Sequence, residues 1–332
     1  MICQSQAVIL DSSNLKVRKA YGSGKQNGWS KTRNYLSQIK WGSTASKVMK
    51  NQVTNLTTKP PLFGDNWTSH VSTQAPKRSW AYQVMKSADA GNVYLNTLRT
   101  WYYRFPRTSK TSIELKNRLE SLRNEDHLGA VNELFWWECM KLFNWSAEPV
   151  VGRKHKRPDF KVTSPAYFFC EVTTLNISGR DRDDLSEGHG VGLNEEQTRT
   201  IDRLFLKILE EKLEQIQCGA SEKKPNSLVL FDHTVWSQLG TEFYLKLAFH
   251  LLGEQMGFAR LPRELSAIVY IERRVMAGRL GMSEQRAAVY HNPFAQIKIP
   301  PNVFQMIRQY DLELVEVPRI PSPTALDGWI WV

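Results

Sequence analysis

The sequence predicts an α/β protein with a mixed sheet, and three observations lead there. Apolar residues recur at three- to four-residue spacing over 124–143 and 195–217, the period of a helix. Short apolar or alternating runs at 148–151, 159–162, 167–173 and 227–231 read as strands. The chain order is then helix, three strands, helix, strand (αβββαβ), a layout that packs helices against a sheet. A length of 332 residues suffices for a substantial core, divided here into a basic N-terminal region, 1–105, and an α/β domain, 106–332.

Residues 1–90 contain thirteen Lys or Arg against Asp11, Asp65 and Asp89, and so hold nearly all of the formal net charge of +11. A concentrated basic segment is the electrostatic footprint of a polyanion, which points to nucleic acid as a partner. Trp29, Tyr35, Trp41, Trp67, Trp80 and Tyr82 are interspersed with the lysines. Such rings stack on unpaired bases while lysines track phosphates; alternatively, tryptophans so spaced form a small core, or the segment is a partly disordered arm. Its periodicity is poor, so no fold is assigned to it. The cluster Trp101-Tyr102-Tyr103-Arg104-Phe105-Pro106 reads as an interdomain packing element before a base-stacking platform.

Residues 109–123 form an amphipathic helix through Ile113, Leu115, Leu119 and Leu122, with Ser109 or Thr111 able to cap it. In the helix over 124–143, Leu128, Val131, Phe135, Cys139 and Leu142 make the apolar stripe. Glu133 lies on a different stripe, between Ala130 and Trp137. A carboxylate in that setting is poorly solvated unless a cation meets it.

Between 157 and 173 the chain reads RPDFKVTSPAYFFCEVT. Alternation puts Asp159 and Lys161 on one face of the first strand, and Glu171 and Thr173 on one face of the second, with Ser164-Pro165 as the break between them. Two carboxylates on adjacent strands supply oxygen ligands for a hard divalent cation. The plainer reading makes Pro158-Asp159 a turn and Glu171 part of a solvated strand face.

The loop over 176–194 carries four glycines, Asp181, Asp183, Asp184 and His189. Its spacing fits neither a calcium loop nor a zinc motif, and a flap over a cleft or plain disorder explains it as well. In the helix over 195–217 the apolar arc runs through Ile201, Leu204, Phe205, Ile208, Leu209, Leu213 and Ile216. Lys212 falls inside that arc, while Lys207 projects to the opposite side. Further strands follow at 266–271 and 286–290, with a helix around 242–252. Asp232-His233 closes the strand over 227–231, where α/β clefts form. His291, before Asn292-Pro293, reads as a strand-end cap.

Several classes are excluded. No run of eighteen apolar residues exists to cross a membrane. The basic residues at the start follow an apolar patch, the reverse of the order in a secretory signal. Cys3, Cys139, Cys170 and Cys218 include no Cys-x-x-Cys pair, which argues against a zinc ribbon or disulfide framework and fits a cytoplasmic protein. Neither a Gly-x-Gly-x-x-Gly fingerprint nor a Gly-Lys-Ser/Thr loop is present.

Residues 124–217 resemble the PD-(D/E)XK, or restriction-endonuclease-like, nuclease superfamily. Pro158-Asp159 matches the first element, Glu171-Val172-Thr173 the second, and Glu133 the upstream helical glutamate. The resemblance implies that superfamily's αβββαβ core. It implies Mg²⁺ or Mn²⁺ held by Asp159, Glu171, the Val172 carbonyl and Glu133, for metal-assisted hydrolysis of phosphodiester bonds. DNA is the implied substrate over RNA, in defence or in a mobile element. Thr173, however, stands where the family has its lysine. Either the lysine has moved, with Lys212 the first choice and Lys161 the second, or catalysis is lost. In the latter case the protein would be a nucleic-acid-binding or scaffold subunit of a larger complex.

Overall fold

A computed structural model describes residues 61–77, 79–106, 109–150, 157–176, 210–233, 261–283, 287–311 and 329–331. The loop over 177–194, the helix over 195–209 and the helix around 242–252 lie outside the described residues, as do Trp29, Tyr35, Trp41 and most of the basic N-terminal residues.

The described chain begins with helices that its poor periodicity does not predict: α1 (Asp65–Gln74), α2 (Trp80–Lys86) and α3 (Ala88–Arg104). Ser79 caps α2 through its side chain, which accepts from the Tyr82 N–H. Gly91 permits the α2–α3 approach, because a Cβ there would sit 2.1 Å from the Val84 carbonyl oxygen. Trp67 and Trp80 do not face outward as base-stacking residues would. They are 7% and 5% exposed, and their rings stack on each other at 5.6 Å. Trp101, Tyr102 and Phe105 are likewise buried, so that cluster is core.

Helices α4 (Ser109–Leu119) and α5 (Asn124–Leu142) follow. Helix α5 has Glu125 and Asp126 in its first turn, favourable at the positive end of the dipole. It ends with Asn144 at φ 58°, Trp145 N–H on the Met140 carbonyl and Asn144 N–H on the Lys141 carbonyl, the pattern of a Schellman cap. Residues on all its sides are buried, because α3 and α4 cover one flank and the sheet the other.

The main sheet has seven strands: β1 (Ser146–Pro149), β2 (Phe160–Ser164), β3 (Phe168–Asn176), β4 (Asn226–His233), β5 (Leu265–Ile271), β8 (Ala287–His291) and β9 (Arg308–Asp311), in that spatial order. It is mixed. The β1–β2, β2–β3 and β5–β8 pairs are antiparallel, whereas β3–β4, β4–β5 and β8–β9 are parallel. Strands β4 and β5 are buried almost throughout, as parallel strands covered on both faces must be. Between β3 and β4 lies α6 (Leu213–Ser221), which packs on both.

A second sheet, β10 (Trp329–Trp331), β7 (Arg279–Ser283) and β6 (Arg274–Met276), rests through β7 on α3. Ala277 and Gly278, both at positive φ, make the two-residue turn between β6 and β7.

Candidate active site

The β2–β3 register pairs Phe160 with Cys170 and Val162 with Phe168. Continued by two residues, it sets Pro158 opposite Val172. Proline has no N–H, so the ladder stops there, and Asp159 fills the gap: its Oδ2 accepts the Val172 N–H at 2.9 Å. Both backbone groups of one strand residue point to the same edge, so the Val172 carbonyl also faces the Asp159 side, where Pro158 has no donor to offer it. The Pro-Asp dipeptide thus ends the β2–β3 pairing beside Glu171.

Glu171 precedes Val172 and projects from the sheet on the same face as Lys161. Its Oε1 accepts from Lys212 Nζ at 2.5 Å. The Glu171 side chain is 5% exposed and that of Lys212 19%, so the pair is largely withdrawn from water. Lys212 sits at a bend between a π-helical turn at 210–211 and α6, which its carbonyl enters by accepting the Ile216 N–H at 3.1 Å. Sequence periodicity predicts one helix through this point; the described backbone has a bend at Lys212.

The electrostatics of the pair follow from burial and neighbours. Burial, then the Asp159 charge, push the Glu171 carboxyl well above the usual carboxylate range, and Lys212 offsets part of that. Burial works against the charge on Lys212, but the Glu171 carboxylate more than compensates and the net shift is upward. The other oxygen, Glu171 Oε2, is buried and accepts no hydrogen bond from the described residues. A carboxylate pair with one oxygen unsatisfied favours an added cation.

The other anticipated residues sit elsewhere. Lys161 lies on the Glu171 face, but its Nζ is held 2.9 Å from Glu148 Oε1 on β1 and stands over the Tyr167 ring. Thr173 is buried in the β3–β4 ladder opposite Leu230. Glu133 is not brought to the carboxylate pair. The cation that its burial demands is Arg118 of α4, whose Nη1 lies 3.0 Å from Glu133 Oε2. Helix α5 meets β3 through Trp136 Nε1 on Cys170 Sγ and Asn132 Nδ2 on Thr174 Oγ1. Those residues alternate with Glu171 and Thr173, so α5 covers the sheet face opposite to Glu171.

At the strand ends, Asp232 Oδ2 accepts from the Tyr270 hydroxyl at 2.5 Å, and His233 contacts Asn132. His291 is paired with Gln309 at 2.8 Å. Among the described residues no group of three or more His, Cys, Asp or Glu is placed to share a metal ion. What converges is two carboxylates, Asp159 and Glu171, with the Val172 carbonyl on the adjoining edge. All are hard oxygen donors, and they fit a small divalent cation that keeps several of its waters. Among the described residues, no helix is long and apolar enough to cross a membrane. No family model, curated protein or solved structure matches the chain.

Proposed function

We propose that the protein is a metal-dependent nuclease of the PD-(D/E)XK kind, acting on DNA, with Asp159, Glu171 and Lys212 as its catalytic group. One observation carries the reading: a lysine 41 positions away in sequence reaches the Glu171 carboxylate beside Asp159. This supplies the charge that Thr173 lacks. The element order α5, β1, β2, β3, α6, β4, with β3 and β4 parallel, supports a restriction-endonuclease-like core.

In this reading Asp159, Glu171 and the Val172 carbonyl hold Mg²⁺ or Mn²⁺. The ion, when bound, supplies Lewis acidity at a phosphoryl oxygen and a more acidic water. Asp159 is oriented by the Val172 N–H, and Glu171 by Lys212. An ammonium has three donors, so Lys212 retains hydrogens with which to hold the attacking water or a non-bridging phosphate oxygen while charge builds on it. Burial of the pair strengthens both effects.

The test is cleavage of supercoiled plasmid and of single-stranded DNA with Mg²⁺, Mn²⁺ or EDTA, parent beside Asp159→Ala. Metal-dependent cutting that disappears in the variant supports the assignment. Equal cutting by both proteins would sink it, and salt-sensitive DNA binding without any cutting would favour a non-catalytic binding subunit.

A further inference from the structure

At the carboxyl ends of the three parallel strands lies a second polar cluster, on the sheet face opposite to Glu171. Thr174 of β3 pairs in register with Phe231 of β4, which pairs with Ile271 of β5. His233 and Arg273, each two residues further on, therefore emerge on the face covered by α5. Arg273 Nε donates to Asn132 Oδ1 at 2.7 Å. That contact fixes the amide orientation, so Asn132 Nδ2 donates to Thr174 Oγ1 at 2.9 Å and to His233 Nε2 at 3.2 Å. His233 Nε2 is then an acceptor, and its hydrogen sits on Nδ1. Burial, followed by the Arg273 and Arg274 charges, holds this ring neutral. The Thr174 hydroxyl, having accepted from Asn132, keeps its own hydrogen to give.

Arg273 is anomalous in this setting. It is 5% exposed, and its Nη1 is buried with no hydrogen-bond partner among the described residues. Burial opposes its charge, and the group that favours that charge is the Tyr94 phenol; no carboxylate among the described residues does so. A buried guanidinium without a counter-ion is strongly unfavourable, and guanidinium is the side chain best matched to oxyanions. Ligands of α/β proteins bind beyond the carboxyl ends of parallel strands.

We propose that the carboxyl end of β3, β4 and β5 is a binding site for a phosphate group, with Arg273 as counter-ion and Thr174 and His233 as flanking donors. It is separate from the Asp159–Glu171–Lys212 group and does not rest on the nuclease reading. The phosphate would be free or the terminal monoester of a polynucleotide.

The test is calorimetric titration of the full chain in EDTA with inorganic phosphate, with acetate as the control. A second arm compares short oligodeoxynucleotides bearing a 5′-phosphate or a 5′-hydroxyl. Saturable phosphate binding is expected, with a melting temperature that climbs with phosphate concentration. Arg273→Met should weaken it by roughly 10- to 100-fold, the loss of one charge-assisted hydrogen bond. Thr174→Val, which keeps the shape, should weaken binding by a smaller factor, so the proposal stays testable if Arg273→Met fails to fold. Asp159→Ala should bind phosphate like the parent, whatever it does to cleavage. A preference for the 5′-phosphorylated strand would identify the source as a polynucleotide end, and binding of inorganic phosphate alone would identify it as the free ion. No phosphate binding by the parent, or binding undiminished in both Arg273→Met and Thr174→Val, would overturn the proposal.

Discussion

Lys212 Nζ lies 2.5 Å from Glu171 Oε1, a largely buried ion pair between a bend ahead of α6 and the middle of β3. The same face carries a second lysine, Lys161, whose charge is spent on Glu148 at the exposed rim. The two lysines are thereby separated in role: one meets the carboxylate pair and the other a surface glutamate.

In the proposed nuclease, Lys212→Met should therefore lower the cleavage rate by about 10²- to 10³-fold, the effect of removing one preorganised charge donor. Lys161→Met should stay within about twofold, since exposed ion pairs contribute little. Initial-rate assays on one plasmid substrate compare them. Equal losses in both variants would reject the assignment of Lys212.

Metal binding should also be visible without turnover. Because burial and Asp159 raise the Glu171 proton affinity, a bound divalent cation competes with that proton and stabilises the folded chain. Melting curves should shift upward with Mn²⁺ in the parent and stay unmoved in Asp159→Ala. An unchanged parent curve at millimolar Mn²⁺ would count against the metal site.

His127 provides a pH prediction outside the site. Its Nδ1 faces the Leu119 carbonyl at 2.7 Å and so carries the hydrogen, leaving Nε2 to accept the Tyr94 hydroxyl at 2.8 Å. The ring also stacks on Trp80 at 3.3 Å. Burial drives its pKa down to about 3. The unfolded chain takes up this proton near pH 6.5 and the folded chain near 3, so the stabilisation is present above 6.5 and is lost as pH falls through that window, at up to about 1.4 kcal/mol per pH unit. Denaturant midpoints between pH 7 and 4 should fall accordingly, and less steeply in His127→Gln. A parent midpoint that holds across this range would contradict the account.

Gly278 turns the β6–β7 hairpin at φ 79°, and a Cβ there would lie 2.1 Å from the Ala90 carbonyl oxygen of α3. Gly278→Ala should cost more than about 1 kcal/mol from the left-handed conformation alone, with the contact to α3 added. Chemical denaturation with an unchanged m-value would measure it. A neutral outcome would mean that the hairpin does not rest on α3.

By itself the sequence indicated β1 to β5 and β8 in chain order, but not β6, β7, β9 or β10. Alternation over 159–173, β-branched runs at 227–231 and 266–271, and the helical period over 124–143 are local properties, and β2, β3, β4, β5 and α5 fall there with ends shifted by a few residues. Asp159, Glu171, Lys161 and Lys212 stand out by residue type and by their places on strand faces or in an apolar arc, but that Lys212 and not Lys161 meets Glu171 is decided by the fold. The α1–α3 helices were not, since Trp67 and Trp80 acquire their packing from His127 and from each other, partners that no local period contains. Nor was the role of Glu133: its helix was evident, but only the α4–α5 juxtaposition supplies Arg118. Arg273 carries no signal in its neighbourhood at all. Its isolation follows from Asn132, Thr174 and His233 meeting at the ends of three strands, and distances across a sheet are set by register and burial, which only the assembled tertiary structure decides.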